Sequence, residues 1–387
     1  MRLRANKTFS QHQLALKLRL DKTSRLGIFT WEHQRLAIHA AKTALAAALC
    51  WWLAHHFGLP DGYWGSISAV IVLQSNVGST VTASRDRLLG TLIGAALGFS
   101  FSLFGALPWN YVLAVLVAIL VCGLLGLRSS SRLAGVTVTI IMLVHQTGPR
   151  WSLPLDRVIE VVLGIVVALA VSTLIFPDRA RLRLRDGLAQ EFLLLSAFFE
   201  ASLEGFGGAP SKALPGLRED ALARMRSNNQ LLQAARNEPS GGPGWREGLG
   251  MLLQFGRSIF DALLALDLSV RDSHEDGFAA QLEPALGRLA LDIRTGFHHV
   301  ARCIHEWRFN VPPPGINLEQ DIADLEARMD AVRHTGIGFS QAEILRAYAI
   351  QLHLKQIARI LRASRVETSR AVGEPDQLEP KPSSDSK

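Results

Sequence analysis

The sequence predicts an all-α polytopic membrane protein with six transmembrane helices, the second of them short or broken, and a helical cytoplasmic domain. Apolar residues make up 48% of the 387 residues, and charged residues only 19%. The apolar excess is concentrated in residues 37–176, which hold only seven Lys or Arg and four Asp or Glu. Both flanking segments are rich in charge, which is typical of a membrane domain beside a water-soluble one.

Six apolar runs predict the membrane helices. A hydrocarbon core about 30 Å thick needs ~20 apolar residues for each helix that crosses it. Five runs reach or approach that length, at residues 36–57, 88–107, 111–127, 133–145 and 158–176. The sixth, at residues 63–74, is too short to cross alone, so we expect a short or broken helix that its neighbours shield from lipid.

The distribution of Lys and Arg predicts the orientation. The first 35 residues hold eight of them and form a basic N-terminal arm, and further arginines follow alternate apolar runs. Of the intervening loops, "GLPD" and "LPWN" hold none, and "HQTGPRWSLPLDR" holds Arg150 and Arg157. By the positive-inside rule we expect a multi-pass inner-membrane protein with both termini in the cytoplasm.

The chain after Pro177 changes character. Apolar residues recur there at three- and four-residue spacing, which predicts amphipathic helices. Breaks fall at "GFGGAP", "NEPSGGPG" and "VPPPG". We therefore expect a transmembrane domain at 36–177 and a cytoplasmic helical domain at 178–368. The polar, Pro-containing residues 369–387 predict a disordered tail.

The sequence lacks the motifs of several enzyme classes and of metal sites. No Gly-rich phosphate loop leads into Lys-Ser or Lys-Thr, and no nucleophile-elbow pattern is present. The three cysteines are scattered, and the two His pairs are adjacent rather than four residues apart, so a metal site is not expected. We predict a protein that is not an enzyme and needs no cofactor. Its juxtamembrane positive charge suits membrane lipids better than nucleic acid.

A polar break at residues 74–87 separates two apolar runs and carries the main candidate site residues, Gln74, Asn76, Arg85 and Arg87. Irregular polar backbone at membrane depth is tolerated where it lines a water-filled cavity. We therefore expect the cytoplasmic mouth of an anion path here, supported by the amino-terminus of the third helix near residues 80–84. Ordinary anchoring of the helix end is the alternative.

Other charged or aromatic residues have two interpretations each. Lys42, one turn beyond His39, either extends its ammonium to the cytoplasmic surface or lines the path. Trp64 is either an interfacial residue or part of the entrance. The secondary candidates are Arg128, Arg132 and Glu160. The two arginines bound a three-serine turn as expected anchors, and Glu160 either pairs with Arg157 or couples transport to protons.

The stretch "YWGSISAVIVLQSNVGSTVTASRDRLLGTLIGAALG" resembles the fusaric-acid-resistance-like (FUSC) and aromatic-acid-exporter family. The residues that carry this resemblance are Tyr63, Trp64, Arg87, Gly90, Thr91 and Gly94. Together with "RLAIHAAKTALA", the stretch is also similar to plant aluminium-activated malate transporters, through His39, Lys42, Trp64, Val77, Gly78, Arg87, Thr91 and Gly98.

The resemblance implies a protein that exports or conducts small organic anions, with aromatic carboxylates as the first expected class. Family exporters with two membrane halves in one chain imply that this single half works as a homodimer. Gly90, Gly94 and Gly98 offer a smooth helix face for close packing, within the chain or between subunits. A membrane-anchored scaffold or sensor that binds a cytoplasmic protein is the alternative function.

Overall fold

The computed structural model describes residue 34 and residues 36–59, 61–105, 107–144, 149–175, 177–204, 211–238, 243–271, 277–312, 315–334 and 339–373. These residues form twelve α-helices and no β-strand, so the all-α prediction is confirmed for them. The chain divides into two compact units, Met1–Asp178 and Arg179–Lys387. Almost all of the predicted basic arm, residues 1–35, lies outside the described residues.

The first unit contains six helices. They are α1 (Leu36–His56), α2 (Tyr63–Val72), α3 (Val77–Ser102), α4 (Pro108–Leu124), α5 (Arg128–Leu143) and α6 (Ser152–Leu174). Each corresponds to one predicted apolar run. The main difference is the start of α3, at Val77 rather than at residue 88, because the polar residues before the apolar run are also helical. Likewise, α5 and α6 begin before their apolar runs.

Consecutive helices of this unit run in opposite directions. The Ser66 hydroxyl on α2 donates to the Ala47 carbonyl on α1 over 3.1 Å, and Gly62 lies opposite Ala54, so these helices are antiparallel. Tyr111 on α4 is 3.2 Å from Thr139 on α5, and Val115 lies opposite Gly135, so these two helices are also antiparallel. α3 runs parallel to α5, and α2 runs parallel to α6, as the glycine contacts below establish.

Two glycine contacts bring helix backbones together. The predicted stripe on α3 packs on α5 of the same chain: Gly90 faces Ser130, and a Cβ at Gly94 would lie 2.6 Å from the Ala134 carbonyl oxygen. At the second contact, a Cβ at Gly164 on α6 would collide with the Gly65 carbonyl oxygen of α2. Only glycine permits such approach, so these residues set the spacing of the helices.

The buried apolar residues of the first unit form separate clusters. One joins α1, α2 and α6 and includes Cys50, Ala69 and Val161. A second joins α4 and α5, with partly buried residues of α3 packed against it. A small third cluster contains Ala95, Ile141 and Leu153 from α3, α5 and α6.

Among the described residues, three helices are long and apolar enough to cross a membrane by length and composition: α1, α6 and Gly244–Val270. α2 and α4 are shorter apolar helices. The third long helix was not expected as a membrane span, and it belongs to the second unit, where Leu252, Ile259 and Leu263 are fully buried in a protein core. Its apolar side is thus covered by protein.

The second unit contains the remaining six helices. They are α7 (Ala180–Glu204), α8 (Leu214–Arg236), α9 (Pro243–Arg271), α10 (Gly277–Glu306), α11 (Leu318–Arg333) and α12 (Gln341–Val372). A single large apolar core joins them, with Phe192, Phe199 and Phe297 among its fully buried side chains.

The last helix has well-defined ends. Ser340 and Glu343 form a reciprocal capping box at its start, and Gly373 ends it with a φ of 82°. The predicted disordered tail, residues 369–387, is therefore wrong for residues 369–372, which belong to α12. Residues 374–387 lie outside the described residues.

Candidate functional site

The predicted polar break is mostly helix. Only residues 73–76 lie between α2 and α3, and the remainder forms the first three turns of α3. Asn76 starts this helix, because its side chain accepts a hydrogen bond from the Ser79 amide over 2.8 Å. The Val77 amide donates to the Asp178 carbonyl over 3.1 Å. The prediction of irregular backbone through residue 87 is wrong because this cap starts the helix eleven residues earlier.

The expected position of the amino-terminus of the third helix, near residues 80–84, is also wrong. The free amides of a helix lie in its first turn, and Thr80 and Ser84 come later because α3 starts at Val77. Their hydroxyls, and that of Thr91, donate to the carbonyl four residues earlier over 2.8–2.9 Å. Thr80 also accepts from the Gln74 amide and lies 3.4 Å from the Ser172 hydroxyl.

Arg87 is a buried cation, with 4% of its surface exposed. Its Nη2 donates to the Ser68 hydroxyl on α2 over 3.2 Å. Among the described residues this is its one hydrogen bond; Nε has no partner, and no carboxylate lies within ion-pair distance. Burial of a guanidinium without a counter-ion is costly, by several kcal/mol after relaxation. We call Arg87 and Ser68 the Arg87 centre.

The Arg87 centre lies well inside the helical unit. Ten residues separate Arg87 from the start of α3, which corresponds to ~15 Å along the axis. The partner helix α2 has ten residues, so it is also ~15 Å long, about half of a hydrocarbon core. The apolar run predicted that Arg87 lies at the entry of the third helix. In the structure it lies ten residues inside that helix.

A second buried polar cluster, which we call the Arg157 centre, lies near the amino-terminal ends of α2 and α6. The Arg157 guanidinium donates to Asp61 over 2.9 Å and to Glu160 over 3.2 Å. Its Cζ lies 4.4 Å from the centre of the Trp64 ring, within cation–π distance. The expected pairing of Glu160 with Arg157 is thus present, and Asp61 completes it.

The two centres differ in charge balance. One guanidinium faces two carboxylates in the Arg157 centre, and Glu160 is completely buried with its Oε1 unpartnered among the described residues. In the Arg87 centre the guanidinium faces only a neutral hydroxyl. The Arg87 centre therefore keeps an uncompensated positive charge in the described part of the chain, whereas Arg157 already faces two carboxylates.

Apart from Thr91, whose hydroxyl donates to the Arg87 carbonyl, the other predicted site residues form no hydrogen bond with Arg87 in the described part of the chain. Arg85, Arg128, Arg132 and Gln74 are exposed, and Asn76 is buried as a helix cap. Arg128 and Arg132 lie on the first turns of α5 rather than in a loop, because α5 begins at Arg128. Lys42 is half-buried and interacts electrostatically with Asp178. His39 is half-buried, and its carbonyl accepts from Thr43 over 2.8 Å.

The sequence analysis did not identify two residues that contact the buried arginines, Ser68 and Asp61. Ser68 is fully buried against Arg87, and its signal is that it is one of two serines in a mostly apolar ten-residue helix. Asp61 lies in the loop "GLPD", which was used only for its lack of positive charge. Both contacts join residues distant in sequence, so periodicity alone does not reveal them.

The chain is similar in sequence to several membrane and transport proteins. The chain is 24% identical to inner membrane protein YccS of Escherichia coli (strain K12) over 59% of its own length and 32% of the relative's. It is 28% identical to aluminum-activated malate transporter 2 of Arabidopsis thaliana, over 60% and 54% of the two lengths. It is 29% identical to multidrug resistance protein MdtO of E. coli (strain K12), over 41% and 25%.

The chain thus spans between about a quarter and about half of the length of these relatives. The family match extends over almost the whole chain: residues 37–385 fit the family described as fusaric acid resistance protein family. This match includes both units, and it confirms the resemblance seen in the first unit. The chain therefore belongs to the fusaric acid resistance protein family.

Proposed function

We propose that the protein carries small organic anions across the inner membrane, with the first unit crossing it six times and both termini in the cytoplasm. The alternating directions of α1 to α6 support an even number of crossings. The names of the relatives, which include a malate transporter and a multidrug resistance protein, support transport as the activity. The names of two bacterial relatives support the inner membrane as the location.

The single observation that carries this proposal is the Arg87 centre. A buried cation whose only hydrogen bond in the described chain goes to a neutral hydroxyl attracts a permeating anion. Ionisable residues inside membrane helices are retained mainly for function, because their burial opposes folding. The neighbouring buried hydroxyls of Thr80 and Ser172 provide polar groups toward the end of the unit where α3 begins.

The apolar residues that follow Ser68 on α2 support anions that carry an apolar body. Ala69 and Val72 of α2 are fully buried beside Ser68. Aromatic carboxylates are therefore the first class to test, and aliphatic dicarboxylates are the second. The membrane potential is a sufficient driving force, since moving one charge through 100 mV is worth about 2.3 kcal/mol, or roughly fifty-fold accumulation.

The working unit in this proposal is a homodimer. α4 exposes a continuous apolar side that includes Trp109, Val112, Leu116 and Ile119. Lipid and a second copy of the chain both suit such a surface. The exposed apolar side of α4 supports the dimer, which is tested separately below.

The experiment is flux through vesicles that contain the purified full chain. Benzoate, malate and phosphate are compared, with and without a potential of defined sign. Saturable, potential-dependent benzoate flux that exceeds flux in protein-free vesicles is the expected result. Flux at the protein-free level for every anion would overturn the proposal and favour the scaffold function, in which the first unit only anchors the second.

A further inference from the structure

The second unit contains a groove of about 510 Å³ that the transport proposal does not use. Its walls are α8 and α9, which both belong to this unit. One wall follows α8 from Met225 to Arg236, and the other follows α9 from Arg246 to Arg257, so each is ~16 Å long. The volume lies within the range of sites that hold small organic ligands, about 300–1,000 Å³.

Three arginines line this groove. Arg236 lies at the end of α8, Arg246 and Arg257 lie on α9, and all three are exposed. The Nη2 of Arg246 donates to the Glu238 carbonyl over 3.1 Å, which orients the guanidinium without neutralising it. In the described part of the chain none of the three forms an ion pair. Glu247 is the one carboxylate of the lining, so three cations and one anion leave two net positive charges.

The floor of the groove is apolar and its edges are polar. Leu232 and Leu253 are buried, and Met251 beside them is half-buried. The exposed amides of Asn229 and Gln254 add hydrogen-bond donors and acceptors. This lining suits a ligand that joins an anionic group to an organic body.

Gly250 keeps the middle of the groove open. A Cβ at this position would meet no atom within 4 Å. Two other glycines of α9 differ, because a Cβ at Gly244 would collide with the Ala371 carbonyl oxygen and one at Gly256 would collide with Glu191. Glycine is unfavourable within a helix, and no contact in the described part of the chain requires it at position 250. Its consequence there is free space.

The net charge of the groove selects among anions. A phosphate monoester carries about −1.5 to −2 at pH 7 and offers three acceptor oxygens. This charge matches the two net positive charges of the lining, whereas a monocarboxylate would leave one of them uncompensated. The planar guanidinium fork also matches the geometry of phosphate oxygens.

We propose that this groove binds an organic phosphate monoester, with the phosphate at Arg236 and Arg246 and the organic body over Met251 and Leu253. The two arginines lie at the same end of the groove, since both also line a small recess there, whereas Arg257 lies about three turns away. Soluble organic phosphates and lipids with a monoester headgroup share this chemistry. The proposal goes beyond the proposed transport function and does not require it.

The first test is equilibrium dialysis of radiolabelled phenyl phosphate against the full-length protein in a neutral detergent. Arg236→Gln and Arg246→Gln each remove one fixed charge, and each should lower the affinity about tenfold. Glu247→Gln removes a repulsive carboxylate and should raise the affinity about two- to fivefold. Arg226→Gln is the matched control, because Arg226 is an exposed arginine of α8 that does not line the groove. Its affinity should stay within about twofold of the wild type.

A second pair of variants tests the groove without altering charge. Gly250→Ala adds only a Cβ in open space, so it should keep the affinity of the wild type. Gly250→Phe places an aromatic ring in the groove, and we expect the affinity to fall at least about tenfold. Thermal unfolding verifies that each variant is folded. This pair remains informative if an arginine variant does not fold.

The two sources of the phosphate are separated in nanodiscs. Phenyl phosphate affinity is compared between discs of phosphatidylcholine with phosphatidic acid, a monoester, and discs of phosphatidylcholine with phosphatidylglycerol, a charged diester. Weaker affinity in the phosphatidic acid discs supports the site and identifies a lipid headgroup as its ligand. Equal affinity in both discs supports the site and identifies a soluble phosphate.

Three results would overturn the proposal. They are no saturable phenyl phosphate binding by the wild type, wild-type affinity in folded Gly250→Phe, and an equal loss of affinity in Arg226→Gln and Arg246→Gln. The last result would show that phosphate responds only to the overall charge of the unit. Dialysis measures no transport, so these outcomes are independent of the vesicle flux experiment.

Discussion

Nη2 of Arg87 on α3 donates a hydrogen bond to Oγ of Ser68 on α2 over 3.2 Å, and both residues are buried. The bond joins the longest helix of the first unit to its shortest one. Because the acceptor is neutral, the positive charge remains available to a third group. The first prediction follows from this charge.

Arg87→Gln should reduce anion flux per correctly inserted molecule by about ten- to hundred-fold, because a charge-assisted hydrogen bond is worth roughly 1.5–3 kcal/mol. Glutamine keeps similar length and some hydrogen-bonding capacity. The measurement is benzoate flux in vesicles, normalised to inserted protein. Arg85→Gln is the control, since Arg85 is exposed on the same helix, and it should change flux less than about twofold. Equal flux in wild type and Arg87→Gln would leave Arg87 a structural role only.

Both termini should lie in the cytoplasm after six crossings. A reporter fused after Pro177 should report the cytoplasm, and one fused after Asn110 should report the periplasm, because arginines follow alternate helices. Asn110 lies in the first turn of α4, close to the preceding loop. A periplasmic signal after Pro177 would contradict the orientation and with it the cytoplasmic position of the second unit.

Arg157→Gln should lower the free energy of unfolding by about 3–5 kcal/mol, because it leaves Glu160 buried without its partner. The double variant Arg157→Met with Glu160→Leu should recover most of this loss, since it removes both buried charges. Thermal unfolding in detergent measures both effects. Arg150→Gln, at an exposed arginine, is the control. A double variant no more stable than the single one would contradict the assignment of the loss to Glu160.

Gly94→Ala should destabilise the first unit by about 1–3 kcal/mol, since its Cβ would lie 2.6 Å from both the Ala134 carbonyl oxygen and Thr137 Cβ. Gly123→Ala on α4 is the control, because nothing lies within 4 Å of its Cβ.

We expect a homodimer by light scattering in mild detergent, with the same dimer fraction in both folded variants. A dimer that dissociates in Gly94→Ala would show that the stripe packs between subunits.

The fifth prediction concerns Glu191 on α7. It is completely buried, and Asn228 donates to its Oε2 over 2.7 Å. Burial raises the pKa of Glu191 to about 7, although Asn228 and Arg224 oppose this shift. Between about pH 4.5 and 7 the folded protein thus binds more protons than the unfolded one, so stability falls as pH rises through this window.

Glu191→Gln should remove this fall, and at pH 8 it should raise the free energy of unfolding, on the order of 2 kcal/mol. Thermal unfolding of the full chain between pH 5 and 8 gives the comparison. Glu200→Gln is the control, because Glu200 is an exposed carboxylate on the same helix. If Glu191→Gln and Glu200→Gln show the same pH dependence, the burial of a charge at Glu191 is not its cause.

The sequence predicts the helices of the first unit better than their ends. All six apolar runs are helical, because hydrophobic length is a local property. The start of α3 was misplaced because residues 77–87 are polar yet helical, with their hydroxyls bonded back to the preceding turn. A polar segment packed inside a helical unit does not differ in composition from a loop.

The candidate site could be predicted only in part, because some of its contacts join residues that are distant in sequence. Arg87 is identified from the polar break and from the resemblance, but its partner Ser68 lies nineteen residues away on another helix. The Arg157–Glu160 pair is local and was readable from its three-residue spacing, whereas Asp61 joins it from a distant loop. Arg85 is grouped with Arg87 by charge, and Lys42 by charge and by the resemblance. In the structure Arg85 is exposed and Lys42 is half-buried, whereas Arg87 is buried.

The division of the first unit into separate apolar clusters has a mechanical consequence. Near its start, α3 contacts α2 and α6, which belong to the first cluster. These contacts include two polar pairs, Thr80–Ser172 and Arg87–Ser68. Toward the other end, α3, α5 and α6 meet through the dry contact of Ala95, Ile141 and Leu153. Water can replace a hydroxyl partner at little loss, but it cannot replace apolar contact. We therefore expect α3 to separate from α2 and α6 more readily near its start than near its end. Such a separation would expose the guanidinium of Arg87.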